Sequence, residues 1–85
     1  MLGKFFTKRP TERMELNRLI RNEIASRGPT CSLNHIDVSK MTDMSYMFHD
    51  LDFQGDISKW NVSNVQNMTR MFTSSAFNGD ISKWV

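Results

Sequence analysis

The sequence predicts an α+β fold: a short solenoid of about two turns, covered on its N-terminal side by an α-helix. Three observations predict it. The stretch Phe53-Gln54-Gly55-Asp56-Ile57-Ser58-Lys59-Trp60 returns as Phe77-Asn78-Gly79-Asp80-Ile81-Ser82-Lys83-Trp84, 24 residues further on. Stepping back by the same interval pairs Val62 with Val38, Ser63 with Ser39, Met68 with Met44, Met71 with Met47 and Phe72 with Phe48. Ahead of the repeat, Leu16, Leu19, Ile20 and Ile24 recur at helical spacing between Thr11 and the stop signal Gly28-Pro29.

These signals divide the chain into a loosely packed, flexible basic arm over 1–10, an amphipathic capping helix over 11–28 and the repeat over 29–85. In the arm, Phe5 and Phe6 are candidate anchors and Pro10 closes the segment. Thr11 is the expected N-cap of a helix over 12–27, with Glu12 and Glu15 placed where the helix dipole favours negative charge. A solenoid exposes a raw apolar face at its first turn. The stripe Leu16, Leu19, Ile20 and Ile24 is expected to cover it, leaving Arg13, Arg18 and Arg21 toward water.

Within each repeat the pattern has two parts. Ile57, Trp60 and Val62 sit in a segment too short for a helix and are expected in a brief strand. Val65, Met68, Met71 and Phe72 then fall on one face of a short helix, with Ser63 and Gln66 as its capping box. Met41, Met44, Met47 and Phe48 take the same places one turn earlier, and Leu33 and Ile36 start the register. Gly55-Asp56 and Gly79-Asp80 mark the corner, glycine allowing positive φ and aspartate bonding nearby backbone.

Charge is unevenly spread. Through Gly28 seven bases face three glutamates; beyond it four bases face six aspartates, so a basic entry leads into a mildly acidic repeat. The net charge of +2 is too small to name a partner. Cys31 is the single cysteine, which excludes an intramolecular disulfide and points to a reducing compartment. Lys4 interrupts the only apolar start, which removes the continuous core of a signal peptide, and no stretch reaches the ~18 apolar residues of a membrane span. The expectation is a soluble, cytoplasmic protein with no membrane contact.

The run Asn61-Val62-Ser63-Asn64-Val65-Gln66-Asn67-Met68-Thr69-Arg70-Met71-Phe72, followed by Phe77-Asn78-Gly79-Asp80-Ile81-Ser82-Lys83-Trp84, resembles the BspA-like bacterial leucine-rich-repeat family over residues 33–85. The resemblance implies a leucine-rich-repeat-like solenoid, common in surface or secreted proteins that bind other proteins, and carries no catalytic residues. Two departures stand out: no export signal is seen, and the repeat makes barely two turns.

Candidate chemistry is sparse. Cys31, His35 and His49, with Asp50 and Asp52, fall short of the four N or S ligands of a structural zinc site. No phosphate loop, nucleophile elbow or other catalytic pattern is present, so the expectation is no enzyme, no metal and no cofactor. Met44, Met47, Met68 and Met71 read as core filling rather than an adaptable binding face. Trp60 and Trp84 read as a stacked corner rather than a recognition platform, and Asp56 and Asp80 as corner caps rather than a calcium ladder. Arg13, Arg18 and Arg21 form the candidate contact for a charged partner, nucleic acid included, set against a plain solvated face.

The repeat stops at Lys83-Trp84-Val85 in mid-unit. Phe72, Phe77, Ile81, Trp84 and Val85 are therefore the expected protein-binding residues, serving a homodimer or a protein partner docked on an uncapped C-terminal turn. The leading expectation is a non-enzymatic protein-protein interaction module. The alternative is a small mobile-element-type regulator or inhibitor of a nucleic-acid-handling protein complex; a fragment of a larger surface protein is the third reading.

Overall fold

The computed structural model describes residues 9–82 and 84. One α-helix, α1, spans Arg13–Arg27. Among the described residues the rest is turns and extended backbone, with two isolated parallel bridges, Ser32 to Asp56 and Asp43 to Asn67, and no sheet. The expected α+β solenoid, with a strand and a short helix in each turn, is therefore not the architecture observed. Both bridges join residues 24 apart, so the repeat is laid down as copies in parallel register, held by single contacts rather than by ladders.

From Val65 to Phe72, where the spacing predicts a capped helix, the chain forms turns instead. The N–H groups of Met47, His49 and Leu51 reach back three residues, to the carbonyls of Met44, Tyr46 and Phe48. Between them, Tyr46 and Asp50 adopt positive φ, at 59° and 55°, as do Arg70 and Ser74 one copy later, at 53° and 57°. An α-helix requires unbroken negative φ. Successive three-residue turns bring Met44, Met47 and Phe48 to one side as a helix would, so the apolar spacing did not separate the two.

Helix α1 starts one residue later than the expected bound, with Glu12 in extended conformation at its N-cap and no side-chain cap. Thr11 does not cap it; instead the Thr11 N–H donates to Glu15 Oε1 at 3.3 Å. At the other end Gly28, at φ 91°, donates its N–H to the Ile24 carbonyl and ends the helix as expected. Leu16 and Ile20 are fully buried, and Leu19 and Ile24 pack against the same core. Pro10 is also buried and Arg9 lies 2.9 Å from Asp37, so these two residues of the expected loose arm are docked. Phe5 and Phe6 lie outside the described residues.

The core is a set of columns one copy deep. Phe48 stacks on Phe72 with ring centroids 5.4 Å apart, Phe53 on Phe77 at 5.8 Å, and Trp60 on Trp84 at 6.4 Å. Phe48 also meets Phe53, Trp60 and Phe77, which ties the columns together. Each tryptophan gains a polar anchor: the Trp60 indole N–H donates to the Leu33 carbonyl at 2.8 Å, and that of Trp84 to the Ile57 carbonyl at 3.0 Å.

The corners are Asx turns repeated at the same places in each copy. Asp37, Asp43, Asp56 and Asp80 each accept the N–H of the serine two residues on, at 2.9 to 3.0 Å. Asn61 and Asn67 do the same with Ser63 and Thr69. Gly55 serves the corner by close approach, not by positive φ, since Gly28 is the positive-φ glycine of the described residues.

The hydroxyl and N–H of the following serine hold all four aspartates below their ordinary carboxylate value; at Asp56 the N–H is the larger cause. A depressed folded pKa adds stability above the unfolded value of about 3.9 and loses it as pH falls through the folded one. Thermal midpoints are thus expected to stay level from neutral pH to about 5 and to fall below about 4. The variant carrying Asp→Asn at all four positions should lose that acid-side slope while keeping its turns, as Asn61 and Asn67 keep theirs. Equal acid slopes in both proteins would refute the assignment.

Candidate functional site

The parallel copies have two unlike edges. On the N-terminal side α1 lies over the first copy, and its polar side chains meet backbone carbonyls that no preceding copy satisfies. The Arg13 guanidinium donates to the Ser45 carbonyl, and the Asn17 amide to the Met47 carbonyl at 3.4 Å. Arg27 donates to the Ser32 carbonyl at 3.2 Å and pairs with Glu23 at 2.7 Å. One copy later the carbonyls of Thr69, Met71 and Asp56 accept from the N–H groups of Tyr46, Phe48 and Leu33. Three side chains of α1 thus stand where backbone donors of an earlier copy would be.

This places the three candidate arginines differently. Arg13 is half-buried and engaged with Ser45, with its guanidinium 6.0 Å from the centroid of the Tyr46 ring, rather than turned wholly to water. Arg21 is exposed, and its guanidinium donates to Asn17 Oδ1 at 3.1 Å, which orients the amide that meets Met47. Arg18 is exposed. Met14, Asn17, Arg18, Arg21 and Asn22 line an open depression of about 440 Å³ whose walls come from α1 alone.

At the opposite edge the same sequence positions lose their cover. Met44 is 0% exposed and its equivalent Met68 is 40%; Ile57 is 1% exposed and Ile81 is 38%. Phe72, Phe77 and Trp84 are only partly buried, whereas Phe48, Phe53 and Trp60 are buried. Phe72, Phe77, Ile81 and Trp84 therefore lie on one edge, with Met68 beside them. The methionine expectation divides accordingly: Met44, Met47 and Met71 fill the core and Met68 does not. Val85 lies outside the described residues.

The remaining candidates are dispersed. Cys31 is buried with a free thiol. His35 lies 3.6 Å from Glu23, and His49 lies 3.3 Å from Asp50 with its ring edge-on to Tyr46. Among the described residues no three His, Cys, Asp or Glu side chains gather as metal ligands would, and no helix is long and apolar enough to cross a membrane. Asp56 and Asp80 are occupied as turn acceptors.

The family model described as "Mycoplasma protein of unknown function, DUF285" matches residues 17–85, from the middle of α1 through the last copy. The chain belongs to the DUF285 family. This family is related to the BspA-like repeat proteins, and the resemblance carried by the 24-residue repeat holds at that level. Neither the curated proteins nor the solved structures yield a match. In this DUF285 chain the matched span includes Asn17, Arg27 and every residue of the exposed edge, while Arg13 precedes it.

Proposed function

We propose that the chain is a non-enzymatic protein-interaction module whose docking face is the edge formed by Met68, Phe72, Phe77, Ile81 and Trp84. The observation that carries this reading is the step in burial between equivalent residues. Met68 and Ile81 are 40% and 38% exposed where Met44 and Ile57 are buried, and Phe72, whose ring meets those of Phe77 and Trp84, is like them only partly buried. Contiguous apolar surface of that kind is characteristic of sites that bind protein. Family kinship with BspA-like repeat proteins supports it, because the resemblance to them implies protein binding.

The test is site-specific photo-crosslinking in cells that make the full chain. A benzophenone amino acid at position 68 is expected to give a discrete polypeptide adduct. The same probe at position 14, where Met14 is 72% exposed on the outer face of α1, should not. Failure to trap any polypeptide from position 68, or identical adducts from both positions, overturns the reading.

A further inference from the structure

Hydrogen bonding between copies has one direction over the turn segment. The N–H groups of Met44, Tyr46, Phe48 and Asp50 donate to the carbonyls of Asn67, Thr69, Met71 and Thr73 at 2.8, 3.0, 2.8 and 3.1 Å. The N–H groups of Gln66 and Asn67 donate back to the Thr42 carbonyl at 2.7 and 3.2 Å; beyond Asn67, from 68 to 74, nothing returns among the described residues. The N–H of Thr69 is held by Asn67 Oδ1, that of Met71 by the Met68 carbonyl and that of Thr73 by the Arg70 carbonyl. A β-strand edge alternates donors and acceptors. Here the positive φ at Tyr46 and Asp50, repeated at Arg70 and Ser74, accompanies N–H groups that all leave on one side. Over this turn segment a copy donates along one edge and accepts along the other, whereas at the corner Gln54 and Asp56 donate back to Pro29 and Cys31.

In the last copy the corresponding donors are the N–H groups of Met68, Arg70, Phe72 and Ser74, and among the described residues none of them has an acceptor. They run alongside the open apolar face. We propose that this edge takes an extended peptide segment of a partner protein, running parallel to residues 68–74. The segment offers backbone carbonyls at alternate residues and sets a large apolar side chain on Phe72. The proposal rests on the docking reading above and names the chemistry of the partner.

The chain supplies the template for the complex. Four donors of identical pitch one copy earlier hold such a row of carbonyls, and Phe48 beneath them is stacked by Phe72 from the segment they hold. A second copy of the chain fits poorly. A two-fold pairing of this edge with itself sets donors against donors, and the acceptor edge needed for head-to-tail pairing is covered by α1 through Arg13 and Asn17. A single small anion cannot answer four donors spaced at alternate residues. Addition of an extended segment to an open backbone edge is an established mode of peptide recognition, with main-chain bonds supplying affinity and side-chain pockets specificity.

The probe is a capped synthetic peptide with the sequence of residues 66–75, the segment that fills the internal edge, titrated into the full isotope-labelled chain and followed by NMR. Expected are downfield shifts and at least about ten-fold slower exchange at the amides of Met68, Arg70, Phe72 and Ser74, with Thr69, Met71 and Thr73 little changed. Replacing one contributing peptide bond by an (E)-alkene isostere, which removes the accepting carbonyl, should weaken binding about five-fold, the worth of one backbone hydrogen bond. The inference is overturned if the peptide does not bind, or if it binds without the alternating pattern. It is equally overturned if protection of these amides grows with protein concentration alone, or if inorganic phosphate reproduces it. A trapped partner from position 68 together with any of those results leaves the docking reading standing and removes this one; no trapped partner removes the docking reading itself.

Discussion

Replacing Gly55 by alanine is expected to destabilise the protein by on the order of 3 to 5 kcal/mol, through overpacking and the loss of bonds around the contact. A Cβ at this position would lie 1.7 Å from the Cys31 carbonyl oxygen and 2.8 Å from its carbon, which is backbone of the neighbouring copy and cannot swing aside. Three cross-copy bonds converge on the same place. Gln54 N–H donates to the Pro29 carbonyl, Asp56 N–H to the Cys31 carbonyl and Leu33 N–H to the Asp56 carbonyl. Relieving the overlap means separating the copies and weakening all three. A chain of this length holds roughly 4 to 13 kcal/mol in total, so a large unfolded fraction should be visible at ambient temperature. Gly79→Ala is the internal control. The atoms its Cβ would meet first belong to the partly exposed Phe77 ring, and the Gly55 carbonyl lies at an ordinary 3.4 Å. Urea midpoints of the two variants decide the matter, and equal shifts would show that close packing of copies is not what requires Gly55.

The second large effect is at Phe48. Its ring is fully buried and contacts Phe53, Trp60, Phe72 and Phe77, so it joins the three aromatic columns. Phe48→Ala should cost about 3 to 5 kcal/mol, the usual range for a buried phenylalanine. Phe72→Ala, the same change one copy later, should cost about half as much or less, because part of that ring is already in water. The difference measures how far the last copy lacks cover. Equal losses in urea titrations would mean that the edge at Phe72 is closed in solution, and would count against docking there.

The sequence made the period legible because it depends only on residue identity. Residues 24 apart are the residues that stack, from Phe48 on Phe72 to Trp60 on Trp84. The amphipathic helix was legible for the same kind of reason: Leu16, Leu19, Ile20 and Ile24 state which side is buried, and Gly28 states where it stops. The step in burial could also be foreseen, since it follows from counting copies.

What stayed hidden is set by backbone dihedrals and by partners distant in sequence. Apolar spacing over Met41 to Phe48 suits a helix and a run of tight turns equally, and only φ at Tyr46 and Asp50 distinguishes them. The N–H groups of these two residues are met by carbonyls of the next copy, a pairing that no local propensity registers. Arg13 read as a solvated charge because nothing in sequence places it over Ser45, 32 residues away. Gly55 read as a turn glycine although what excludes a side chain is the backbone of Cys31.

By itself, then, the sequence determined the period, the helix and the residues that stack, because each follows from the order of apolar and polar side chains. Only the tertiary structure decided that the copies pair through isolated bridges and, over the turn segment from 68 to 74, one-way hydrogen bonds, that side chains of α1 supply the missing donors at one edge, and that among the described residues four backbone donors have no acceptor at the other. Backbone direction is set by φ and ψ together with the neighbour that completes each bond, and that neighbour lies a full copy away.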